Sequence, residues 1–264
     1  MQGTITTTRR EQVAIHTYTS PESGLAVNTH VIELASQLLI LDTQYGLPFA
    51  VEAAEFAASL GKPITRVYVS HAHPDHFFGA GVFNTPVHAL PSTRETIAAA
   101  GDVMLAGNKA AVGDFVPDKV TVPTIDVEPG VEVIDGVRFE FAAVTQTEAE
   151  AMLIIELADE GVVLAQDLVY DNLHLYLAEK HLAGWRTSVE ELRSKGFSTV
   201  LPGHGAPGGP ELYDYVLAYL DVAEPALANA TNGAELKSTL LTAFPRAGGA
   251  GLLDIQNGYL FPTA

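Results

Sequence analysis

Short apolar runs, β-branched or alternating with polar residues, dominate the first part of the chain. Val13 to Tyr18, Asn28 to Leu34 and Gln37 to Asp42 fit three strands of an antiparallel meander, with Pro21, Ser23, Gly24 and Ser36 as turn residues. Pro48 to Leu60 changes period: it is rich in Ala, Glu and Phe and stops at Gly61, which predicts a helix. Ile64 to Val69 and Pro86 to Leu90 read as strands, and Ser92 to Ala100 as a helix. Residues 101–119 have a weak pattern and are expected to be irregular. Val131 to Val144, broken by Asp135-Gly136, predicts a hairpin. Met152 to Leu157 and Gly161 to Ala165 predict two further strands. Trp185 to Ser194 then reads as a helix, Ser198 to Leu201 as a strand and Pro202-Gly203-His204-Gly205 as a tight loop. Helices over Glu211 to Ala223 and Ala234 to Ala243 and a final strand over Gly258 to Phe261 complete the pattern.

Composition narrows the class. The 264 residues are 47% hydrophobic and 17% charged, as expected of one packed body spanning 1–264. Fourteen Lys and Arg face 32 Asp and Glu, a formal charge of -18, which works against nucleic acid or anionic membranes as partners. The surplus also has an ordinary reading, a solvated acidic surface. Cysteine is absent, so disulfides and thiolate ligands are excluded and any metal must be held by nitrogen or oxygen donors. The first residues lack the apolar core of a secretory signal, Arg9-Arg10 included, and no run of about 18 apolar residues follows. A soluble, cytoplasmic protein is expected.

The candidate chemistry centres on Ser70-His71-Ala72-His73-Pro74-Asp75-His76-Phe77, directly after the strand ending at Val69. Unpaired polar groups lose roughly 2–7 kcal/mol on leaving water, so three imidazoles and a carboxylate at a buried strand end call for a cation. Pro74 suits the first turn of a helix, which places the cluster at a strand end and a helix start. Asp167, after Val162-Val163-Leu164-Ala165-Gln166, and His204 in its glycine loop gain meaning from that cluster; each alone is an ordinary turn or loop residue.

The His-x-His-x-Asp-His motif at 71–76, Asp167 and His204 together resemble the metallo-β-lactamase superfamily, over about residues 13–205. The resemblance implies an α/β fold, a four-layer αββα sandwich; the helices and strand of 210–264 are expected to pack on it. It implies one or two metal ions, most often zinc, with His71 and His73 at the first position, Asp75, His76 and His204 at the second, and Asp167 bridging. It implies metal-activated water as nucleophile, with Asp75 and Asp167 as the catalytic carboxylates. A small-molecule ester, lactone, thioester or amide is the expected substrate.

One family ligand is missing. Where the family has a histidine about twenty residues before the bridging Asp, this chain reads Val144-Thr145-Gln146-Thr147-Glu148-Ala149-Glu150, with Gln146 aligned to that histidine. An amide oxygen is a poorer zinc ligand than imidazole. Three outcomes stand open: Glu148 or Glu150 completes the first site and favours a harder metal such as manganese or iron; the first site is empty or partly filled; or hydrolysis is lost and binding kept. A redox enzyme with one iron, similar to the persulfide dioxygenases, is an alternative that Gln146 fits poorly. After Asp167 the family builds a cleft wall, so Tyr170, His174 and Tyr176 are candidate substrate contacts and Trp185 a candidate wall residue. Asp42 is a candidate to orient a ligand histidine. His16, His30 and His88 are read as ordinary strand histidines.

Overall fold

The computed structural model describes residues 1–262. Seven strands form the first sheet in chain order: β1 (Thr4–Arg9), β2 (Ala14–Thr19), β3 (Asn28–Glu33), β4 (Leu38–Leu41), β5 (Ile64–Tyr68), β6 (Val87–Ala89) and β7 (Ile125–Asp126). Pairing is antiparallel as far as β4 and parallel after it. The switch follows from the connections, because α1 (Leu47–Ser59) carries the chain back between β4 and β5. After β5 comes the short α2 (Pro74–Phe77), and α3 (Pro91–Val112) links β6 to β7.

The second sheet has the order β12-β11-β10-β9-β8. Its strands are β8 (Gly130–Ile134), β9 (Val137–Thr145), β10 (Ala151–Leu157), β11 (Val162–Tyr170) and β12 (Thr199–His204). Asp135 and Gly136, with φ of 51° and 85°, make the left-handed two-residue turn that suits a tight hairpin between β8 and β9. Three helices follow α4 (Leu182–Ser194): α5 (Glu211–Asn229), α6 (Gly233–Ala243) and α7 (Ala250–Leu260).

Strand alternation builds four layers. On β4, Leu39 and Leu41 join Phe139, Leu153, Ile155 and Leu164 between the sheets, while Leu38 and Ile40 face Phe49, Ala53 and Ile97 of α1 and α3. On β10, Ile154 turns the other way, toward Trp185, Val216 and Leu240 of the later helices. The central strands β3, β4, β10 and β11 are therefore buried on both faces, which explains their nearly continuous apolar runs. The αββα sandwich is present as expected.

Two expectations need correction, and one strand has no counterpart in the sequence reading. The helix begun near Ser92 continues through residues expected to be irregular, as far as Val112. Its buried stripe is Thr93, Ile97, Gly101 and Leu105, and the glycine, packed against Val120, interrupts the apolar signal. The expected strand over Gly258–Phe261 is instead the end of α7, whose buried residues Leu253, Gln256 and Leu260 have helical spacing. Thr4–Arg9, too polar to register as apolar, is an edge strand paired with β2. No described helix is long and apolar enough to cross a membrane.

Candidate metal centre

The motif residues converge where strands from both sheets end. Asp42 follows β4 with φ of 62°, and Ser70 to His73 form the loop between β5 and α2. Glu148 sits in the turn between β9 and β10, and His204 ends β12. Asp167 lies inside β11, where the pairing with β12 slips on either side of Gln166, itself at φ 47°. That irregularity aims the carboxylate at the histidines. Gly203 makes room for it, because a Cβ there would fall 1.7 Å from Asp167 Oδ1.

A hydrogen-bond chain orients the imidazoles. Ser70 donates its N–H and hydroxyl to the two oxygens of Asp42, both at 2.7 Å, and its oxygen accepts from His71 Nδ1 at 2.8 Å. His76 Nδ1 donates to the same carboxylate at 2.7 Å, and His204 Nδ1 to Leu25 O at 2.9 Å. Each of the three rings thus carries its proton on Nδ1 and presents Nε2. Asp42, which also accepts from the Gln166 amide, is fully engaged as an orienting group.

The presented atoms form two groups. His71, His73 and Glu148 bring donors within 4.8 Å of one another, and so do Asp75, His76 and His204. Asp167 lies between, its Oδ2 at 3.1 Å from His204 Nε2, 3.3 Å from His76 Nε2 and 4.0 Å from His71 Nε2. A model of the metallo-β-lactamase superfamily matches residues 23–204.

The chain belongs to the metallo-β-lactamase superfamily. A metallo-β-lactamase from Pontibacter korlensis is 18% identical over 83% of this chain and 99% of its own, with a TM-score of 0.65. The metallo-β-lactamase FIM-1 from Pseudomonas aeruginosa, solved in a mono-zinc form, is 19% identical over 82% of this chain and 95% of its own, with a TM-score of 0.61. At these identities the likeness is one of fold.

Of Gln146, Glu148 and Glu150, one side chain reaches the clustered histidines. Gln146 is exposed, at φ 54°, and its amide donates to Glu150 Oε2 at 2.6 Å, so neither side chain joins the donor groups. Glu148 does: it is buried, with Oε1 at 3.0 Å from His73 Nδ1 and Oε2 at 3.4 Å from His71 Nε2. The tight 146–150 turn, closed by Gln146 N–H to Glu150 O at 3.0 Å, reverses the inward direction relative to an extended chain. Gly184 of α4 holds it in place, since a Cβ there would meet Gln146 O at 2.1 Å.

The donor set fits a cation. His71 Nε2, His76 Nε2, Glu148 Oε2 and Asp167 Oδ1 are buried with no hydrogen-bond partner among the described residues, a costly arrangement for four polar atoms in one place. Burial would lower the His76 pKa, but Asp167, Asp75 and Asp42 outweigh it and hold the ring well above its ordinary range. His204 is pushed to about 10 by Asp167 and Asp75 against the same burial. Burial and its histidine neighbours drive His71 well below. Burial lifts Glu148 to about 7 despite His73. Without a metal, protons held by His76 and His204 balance the ionised Asp75 and Asp167, so metal and protons compete for the same nitrogens.

The other candidates divide. Tyr170 donates to Asp167 Oδ2 at 2.8 Å and stacks on His204, and Tyr176 lies edge-on to His73; both line the cleft above the cluster. His174 is instead tied to the Tyr219 hydroxyl at 2.9 Å and faces an adjacent cavity, not this cleft. Trp185 is core, its N–H donated to Leu168 O behind Tyr170. His16, His30 and His88 sit away from the donor groups, as expected. Glu179, 3.5 Å from His73 Nε2, was not evident in the sequence, because only the fold returns the 171–181 loop to the cluster.

Proposed function

We propose that the protein is a metal-dependent hydrolase acting on a small ester, lactone, thioester or amide. The observation that supports it is the position of Glu148, which completes a donor set with His71 and His73 beside Asp75, His76 and His204, with Asp167 between them. A bound divalent ion supplies Lewis acidity, lowering the pKa of a water and polarising a carbonyl.

The chain's own groups do the rest. Asp42 keeps His71 and His76 in the tautomer that offers Nε2. Tyr170 fixes the Asp167 carboxylate by its hydroxyl and covers one face of His204. Asp75 Oδ2, 3.3 Å from His204 Nε2 and at the cleft floor, is placed to take a proton from the nucleophile and return it to the leaving group. Zinc is the first candidate, and the carboxylate in place of an imidazole also suits manganese or iron. A small molecule is the expected partner; the charge of -18 argues against nucleic acid.

Two histidines with one carboxylate is also the donor set of non-haem iron enzymes, which favours a second reading as an iron-dependent redox enzyme. The complete second donor group favours hydrolysis. Metal-stripped protein reconstituted with zinc, manganese or iron(II) and assayed on esters, lactones, thioesters and amides separates these readings. Metal-restored hydrolysis, lost in Asp75→Asn, is expected. Oxygen uptake by the iron form alone would favour the redox reading, and full loading with neither activity would leave a binding protein.

A further inference from the structure

The cleft has a wall that its polar floor does not explain. Helix α7, beyond the residues matched to the superfamily, brings Leu252, Ile255 and Tyr259 to the cleft from positions three and four apart on one helix face. Ile255 is 48% and Tyr259 70% exposed, an uncovered apolar stripe directly over a cluster of donors. Leu25 and Tyr45 line the same cleft, whose cavity of about 130 Å³ opens to solvent.

Apart from the histidines and any ion they hold, the charges on the floor have one sign. Among the described residues no Lys or Arg lines the cleft, whose carboxylates are Asp75, Glu148 and Asp167, while Glu179 stands behind His73. Glu148, in place of a neutral imidazole, also cancels one positive charge of any cation the centre holds. A substrate carboxylate or phosphate would lose hydration here without a guanidinium or ammonium to replace it. An alkyl tail would gain by covering the stripe.

We propose that the cleft selects neutral acyl substrates, esters or lactones whose apolar tail lies along Leu252, Ile255 and Tyr259, and rejects anionic ones. The reacting bond rests on the hydrolase reading; the tail rests on the wall alone. In the reaction, water's oxygen bonds to the acyl carbon as the acyl–oxygen bond breaks. One proton of the water passes to the leaving alkoxide oxygen, giving an acid and an alcohol, or one hydroxy acid from a lactone. The acid ionises, and the apolar wall gives its carboxylate no hydrogen-bond partner.

The test compares kcat/KM of the metal-reconstituted protein for neutral 4-nitrophenyl esters from acetate to octanoate and for the mono-4-nitrophenyl ester of suberic acid. The neutral series should rise about two- to fourfold per methylene until the tail spans the wall. The anionic ester should fall roughly tenfold or more below octanoate. Tyr259→Ser should flatten the series, and Ile255→Lys should narrow the gap between neutral and anionic esters. A flat wild-type series, or an anionic ester turned over as well as octanoate, overturns the inference while leaving the hydrolase reading intact. If no ester is cleaved, calorimetry with octanamide and acetamide decides this one, and the hydrolase reading fails only if lactones, thioesters and amides are spared as well. Tighter binding of octanamide, weakened by Tyr259→Ser, supports the wall, and equal or absent binding overturns it.

Discussion

Nδ1 of His73 faces Oε1 of Glu148 at 3.0 Å, whereas the other three clustered histidines offer Nε2. This ring is therefore held from its opposite edge, and the group there is Glu179, 3.5 Å from Nε2. A carboxylate behind a ligand histidine fixes its orientation and raises its basicity. Glu179→Gln should weaken metal binding about tenfold with little change in melting temperature, as Glu179 is partly exposed. Competition with a fluorescent chelator measures it; unchanged affinity would remove Glu179 from the centre.

Asp42 carries more of the site than any single donor, because it fixes His76 directly and His71 through Ser70. Asn tolerates the left-handed backbone at φ 62°, so Asp42→Asn changes the charge and acceptor pattern without backbone strain. Metal affinity should fall about 10–100-fold at both donor groups. Loss of one ion with the other retained at wild-type affinity would contradict the shared role.

His30 offers a test of fold stability against pH. It is buried, its ring nitrogens paired with the Thr17 hydroxyl and Pro202 O, and burial lowers its pKa from 6.5 to about 4 against the pull of Asp42. The folded state thus binds the proton less readily than the unfolded chain. The stability this gives is complete above about pH 6.5 and is lost as pH falls toward 4. Measured by urea unfolding of metal-free protein, the advantage of wild type over His30→Gln should shrink by about 3 kcal/mol across that range. A constant difference would contradict it.

The sandwich and most of the site were legible because the signals are local. Alternation along β4 and β10 marks sheet strands, and the spacing of His71, His73, Asp75 and His76 marks a metal motif. What sequence left open depends on distant contacts. Alignment placed Gln146 in the missing ligand's position, but the turn at 146–150, backed by Gly184 some forty residues on, sends Gln146 outward and Glu148 inward. The apolar run near Gly258 looked like a strand because its helical partners, Leu253 and Gln256, lie earlier in the chain. Glu179 carries no local signal at all.

The central claim is that Glu148, not Gln146, completes the first donor group. Its most direct measurement is the metal content of wild type, Glu148→Ala and Gln146→Ala after equilibrium dialysis against limiting zinc. Wild type and Gln146→Ala are expected to hold about two ions per chain and Glu148→Ala about one. Two ions held at unaltered affinity by Glu148→Ala, or an ion lost on changing Gln146, would contradict the account.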